Sequence, residues 1–135
     1  MKNVVRLVSA AALAAVCLVG CVVDDNPSGG GGSGKFKTVK IGGQTWMAEN
    51  LNIETANSWC YGNSADSCKK YGRLYTWAAA KTACPSGWRL PSLGEWGALV
   101  TAAGGSSTAG KKLKAASGWY NNGNGTNDYG FSAKC

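Results

Sequence analysis

Residues 36–135 contain only about a dozen aliphatic side chains able to fill a core, yet all six tryptophans of the chain lie there. A large aromatic side chain buries roughly 150–250 Å², so the tryptophans must supply much of any interior. Such a stretch supports one small domain and not two. No internal repeat is visible in it. The tail beyond Ala115 is rich in Gly and Asn, a composition that makes turns before it makes anything else.

Local signals place several elements within that domain. Thr38–Ile41 and Gln44–Met47 alternate in polarity on either side of Gly42-Gly43, which predicts a tight hairpin. Leu74-Tyr75 reads as a strand leading into a helix over Trp77–Ala83, with Thr76 as its cap and Pro85 barring continuation. The strongest signal lies at 92–103. Ser92 and Glu95 form a capping box, Leu93, Trp96, Leu99 and Val100 share one face, and Gly104 ends the helix. A strand is expected at 111–115.

The first twenty residues read differently. Lys2 and Arg6 precede an unbroken run of apolar and small residues from Leu7 to Val19, the pattern of a secretory signal and too short for a spanning helix of about 20 apolar residues. Its end, Leu18-Val19-Gly20-Cys21, resembles the close of a bacterial lipoprotein signal. That resemblance implies cleavage before Cys21, a diacylglyceryl thioether on Cys21, a further acyl chain such as palmitate, and a membrane anchor. One chain gives an association constant of only roughly 10⁴ M⁻¹, so two or three make release negligible. Cleavage near Ala14 or Ala15 is disfavoured because the apolar run continues to the cysteine. Val22 in place of Asp resembles the pattern sent on to the outer membrane or cell surface. The expected organisation is a signal at 1–20, a lipidated cysteine and Gly/Ser-rich tether at 21–35, and the domain at 36–135.

Removing the signal takes two positive charges from a formal net charge of +7, leaving a mildly basic chain. The short lysine runs Lys69-Lys70 and Lys111-Lys112-Lys114 read as solvated surface rather than as an anion site. Export argues against a nucleic-acid partner. Of six cysteines, Cys17 leaves with the signal and Cys21 goes to lipid, so Cys60, Cys68, Cys84 and Cys135 remain for two disulfides in an oxidising compartment. Three connectivities are open, and the pair Cys60 and Cys68 is preferred because it closes a short polar loop, with the partners of Cys84 and Cys135 left open. The chain has no histidine. That removes Ser-His and Cys-His nucleophile pairs and His-based metal centres, and a zinc site is disfavoured further by the cysteine spacing.

Taken in order, IGGQTWMAENLN, WCYGN with its second cysteine, KKYGRLYTWAAA, ACPSGWRLPSLGEW, KLKAASGW and NDYGFSA resemble the Fibrobacter succinogenes major paralogous domain family over about residues 36–133. Its members are exported bacterial proteins without an established activity, often lipoproteins. GWRLPS and the helix after it also resemble the formylglycine-generating proteins, which implies an α+β fold of the C-type-lectin-like group: a small disulfide-containing domain with two short helices and short antiparallel strands. Family members run on past GFSA, whereas this chain stops at Lys134-Cys135, so an incomplete domain with exposed strand edges is expected.

These readings point to a noncatalytic surface binding or adhesion module for polysaccharide. Its expected contact residues are Trp119, Tyr120, Asn124, Asn127 and Asp128, because aromatics beside a polar loop can stack on sugar faces. The alternatives are an envelope lipoprotein with a protein partner and an enzyme like the formylglycine-generating oxidases. No cofactor or metal is expected. Asn127-Asp128 with Asn121, Asn122 and Asn124 offers calcium only one carboxylate, and a plain turn is the better reading. The acids Glu49, Glu54, Asp66, Glu95 and Asp128 show no spacing that singles out a catalytic pair.

Overall fold

A computed structural model describes residues 15–17, 20–23 and 36–134. Residues 24–35 of the expected 21–35 tether lie outside these residues, as do Cys135 and most of the expected signal.

Over the described residues the chain builds a small α+β domain from two three-stranded antiparallel sheets and four short helices. Strands β3 (Thr38–Ile41) and β4 (Gln44–Met47) form the expected hairpin, and β2 (Val22–Val23) lies on the other side of β4 with Val22 opposite Trp46. The second sheet has β6 (Leu74–Thr76) at its centre, between β1 (Ala15–Cys17) and β5 (Ser58–Trp59). Helix α1 spans Ala65–Tyr71, α2 Trp77–Ala83, α3 Leu93–Ala102 and α4 Ala109–Leu113.

Two of these helices differ from the sequence expectation. The loop between Cys60 and Cys68 carries a short 3-10 turn at Tyr61–Asn63 and then α1, whose first turn holds Cys68 in reach of Cys60. The stretch expected as a strand at 111–115 is instead α4 followed by a single parallel bridge between Lys114 and Ala133. Its physical reason lies far along the chain. Thr126 N–H donates to the Lys111 carbonyl, Asp128 N–H to that of Lys112 and Asn127 N–H to that of Lys114, so a distant loop satisfies carbonyls left open where the helix ends.

Helices α2 and α3 begin as their caps require. Thr76 Oγ1 accepts from Ala79 N–H, and Ser92 with Glu95 makes both bonds of the capping box. Leu93, expected on the apolar face of α3, is 90% exposed. The face that meets the core is Trp96, Leu99, Val100 and Ala103, one step of the helical repeat further on.

Segment 20–23 separates two apolar clusters. Cys21 packs with Met47, Leu51, Tyr75, Ala80 and Trp88, while its neighbour Val22 packs with Ile41, Trp46, Leu99, Leu113 and Phe131, as alternate residues of a strand must. The segment is paired on both flanks: Met47 N–H donates to the Cys21 carbonyl, and Val22 and Arg89 exchange backbone bonds of 2.9 and 3.0 Å. Tryptophan supplies less of the interior than the composition suggests. Trp46 and Trp88 are buried, Trp59, Trp96 and Trp119 half-buried, and Trp77 is 64% exposed. Alanines at 79, 80, 83, 103, 109 and 115 fill the balance.

Candidate functional site

Cys21, Cys60, Cys68 and Cys84 are committed to disulfides. Cys60 joins Cys68, and Cys84 joins Cys21 instead of Cys135. Cys21 is fully buried, and a sulfur in a disulfide cannot also carry a thioether, so acylation and this bridge are mutually exclusive uses of one atom. Arg73 lies against the Cys60–Cys68 bridge, with Nε on Ser58 Oγ at 3.2 Å and Nη2 on Glu54 at 3.2 Å.

Four of the five acids considered as catalytic candidates each face a cation: Glu49 with Lys37, Glu54 with Arg73, Asp66 with Lys69, and Glu95 with Arg89. Glu95 is the most constrained. Its oxygens accept from Arg89 at 2.6 and 2.8 Å, from Gln44 Nε2 at 2.6 Å and from Ser92 N–H at 2.6 Å. The Arg89 hydrogen bonds, helped by those from Ser92, outweigh desolvation and hold its carboxyl down to about 2. Tyr75 is displaced in the other direction. Burial pushes its hydroxyl up to about 12, although that hydroxyl donates to the Ile53 carbonyl and accepts from Ile53 N–H.

The 119–128 loop is not a single exposed platform. Trp119 is half-buried, its indole N–H donates to the Ala133 carbonyl at 3.0 Å, and Lys114 Nζ stands 5.1 Å from its ring centre. Asn124 Oδ1 accepts from Trp119 N–H, and Asn127 is bound to Ser132 through both ends of its amide. Tyr120, 87% exposed, and Asp128, also exposed, keep solvent-facing side chains. The loop is therefore divided between capping α4 and facing solvent. Among the described residues there is no group of three or more His, Cys, Asp or Glu suited to a metal ion.

Beside the loop lies a cleft of about 330 Å³ whose walls come from four segments, at Lys37 just before β3, after β4, at the end of α1 and at 130–134. Asn50 ties the last three of these walls together. Its amide donates to the Tyr71 and Lys134 carbonyls, and its Oδ1 accepts from Lys134 N–H at 3.2 Å. Gly72 lets α1 end there: at φ 77° it lies so near the 50–51 backbone that a Cβ would sit 2.7 Å from the Leu51 carbonyl oxygen. The loop is tied to the cleft wall through Asn127, whose amide bonds Ser132 of the 130–134 segment. Lys37, Lys69, Lys70 and Lys134 line the cleft with a single carboxylate, Glu49. A smaller hollow of about 170 Å³, lined in part by Phe36, Met47, Leu51 and Ile53, adjoins it across Lys37 and Glu49. No residue of this cleft was among the expected contacts. Its lysines come from distant parts of the chain, and only the Lys69-Lys70 run was visible as a cluster.

The family model described as the Fibrobacter succinogenes major domain matches residues 39–135. No curated protein and no solved structure gives a significant match to the chain.

Proposed function

We propose that this chain, which belongs to the Fibrobacter succinogenes major domain family, is an exported, membrane-anchored binding module that holds a carbohydrate without transforming it. The observation that carries this reading is the polar cleft clamped by Asn50, adjoining a loop that keeps Tyr120 and Asp128 in solvent. A concave site of about 300 Å³ or more with convergent hydrogen-bonding groups is the ordinary form of a small-ligand site. The noncatalytic part is supported by the use of the reactive groups. Both side chains with strongly displaced ionisation, Glu95 and Tyr75, are spent on internal hydrogen bonds, and Cys60 and Cys68 are joined in a disulfide that does not involve Cys21.

Anchoring through Cys21 belongs to a form in which the Cys21–Cys84 bridge is not made. Labelling with a palmitate analogue tests it: wild type should label and Cys21→Ala should not, and equal labelling of the two overturns the anchor. For binding, the test is a glycan array and an insoluble-polysaccharide pull-down with the full chain. Tyr120→Ala is the sharper variant, because Trp119 also supports the 133 backbone. Stacking adds only about 0.5–1.5 kcal/mol per aromatic contact, so dissociation constants near millimolar are expected. Absence of binding to every glycan overturns the carbohydrate reading.

Exposed Trp77 and Leu93 favour a second reading, an envelope protein that docks a protein partner. Under it, crosslinks at Trp77 or Leu93 would accompany loss of glycan binding.

A further inference from the structure

The cleft has a charge that the carbohydrate reading does not use. Four lysines line it against one carboxylate, and they are not equally engaged. Lys37 is paired with Glu49 at 2.9 Å and Lys69 with Asp66 at 3.4 Å. Lys70 and Lys134 have no carboxylate partner among the described residues; Lys70 Nζ rests 5.0 Å from the Tyr71 ring centre instead. Two ammonium groups without a carboxylate partner among the described residues, at one concave surface, focus positive potential into it.

We infer that this cleft binds an anionic glycan, one carrying uronate carboxylates or sugar phosphates. The inference rests on the binding-module reading above and names its ligand class. Lysine is a compact point charge on a flexible stem, without the planar fork that selects one anion geometry, so either anion satisfies it. The hydroxyls of a sugar have partners in exposed Asn52 and in Ser132 at the cleft wall. Phe36, in the adjoining hollow, offers a half-buried apolar surface to a sugar face. A lipid surface fits less well. The site is concave, and the large exposed apolar side chains that would enter a bilayer, Trp77 and Leu93, do not line it.

The test is a titration of the oxidised full chain with polygalacturonate and with a phosphorylated mannan. Fully methyl-esterified polygalacturonate is the neutral control, and vesicles of anionic phospholipid are a fourth arm. Binding to at least one acidic polymer is expected, weakening with salt as exposed charges are screened over about 8–10 Å. It should fall at least tenfold in the Lys70→Gln/Lys134→Gln variant and less than twofold in Lys111→Gln/Lys112→Gln on α4, with unchanged thermal midpoints. Whichever acidic polymer binds identifies the anion. Equal affinity for the esterified polymer overturns the inference, as does equal loss in the α4 variant, tighter binding to the vesicles, or no binding to either acidic polymer. Binding to neutral glycans alone, lost in Tyr120→Ala, would overturn this inference and leave the binding-module reading standing.

Discussion

Replacing Cys84 by Ala tests whether segment 20–23 belongs to the core. The bridge from Cys21 spans a sequence separation of 63 residues. By the chain-entropy relation, closing a loop of that length removes unfolded-state freedom equivalent to about 4 kcal/mol, against about 2.5 kcal/mol for the short Cys60–Cys68 loop. Small domains have total stabilities of roughly 5–15 kcal/mol, so the loss is large enough to read directly. The assay is urea unfolding of the full chain, oxidised and not acylated, for wild type, Cys21→Ala, Cys84→Ala and the double variant. Each single substitution should cost about 4 kcal/mol, and the double variant should cost no more than the larger single one, since all three remove the same bond. Two results refute the reasoning: a Cys84→Ala cost below about 1 kcal/mol, or single costs that add in the double variant. The acylated protein should behave otherwise. With Cys21 Sγ in a thioether, Cys84→Ala removes no bridge to Cys21 and should leave protease resistance near that of its parent. Cleavage before Cys21 would also remove β1, turning β6 from a central strand into an edge.

Three further outcomes follow from Glu95, Gly72 and Tyr75, whose surroundings are fixed. Glu95 has its folded pKa depressed to about 2 from 4.5, so its contribution is fully present above about pH 4.5 and is lost as pH falls through 2. With Arg89 44% exposed, solvent screening reduces this to about 1–2 kcal/mol; Glu95→Gln should lower stability at pH 6 and flatten its fall between pH 5 and 2, and an unchanged acid profile would contradict the assignment. Gly72→Ala places a Cβ against the Leu51 carbonyl at a positive φ and should lower stability by about 1–3 kcal/mol in thermal unfolding; a neutral result would show that α1 can end differently. Tyr75→Phe leaves the Ile53 N–H and carbonyl without their hydroxyl partner and should cost about 1–3 kcal/mol by urea unfolding, whereas a change within 0.5 kcal/mol, about the scale of a neutral surface substitution, would mean that water replaces the hydroxyl.

What the sequence revealed divides by the range of the interactions involved. The β3–β4 hairpin, the Thr76 cap and the Ser92–Glu95 capping box each close within a few residues, so a short window contains both partners. Leu93 was misplaced because apolar spacing marks a stripe but not where the core ends along it; the core stops at Trp96. Helix α4 was hidden for the opposite reason, since carbonyls at its end are satisfied by N–H groups some fifteen residues later. That pairing also explains the fate of the expected contact loop. An Asn- and Gly-rich segment supplies polar groups equally well to a ligand or to a helix end, and composition cannot distinguish the two. Here Asn127 locks the turn to Ser132 and the neighbouring backbone caps α4, leaving Tyr120 and Asp128 facing outward. The cleft was least legible of all. Lys37 and Lys134 stand almost a hundred residues apart and meet Lys70 at one surface only because Asn50 holds the 130–134 segment against the end of α1. A lysine run judged by its own neighbours is solvated surface; the same run beside two folded walls becomes one side of a site.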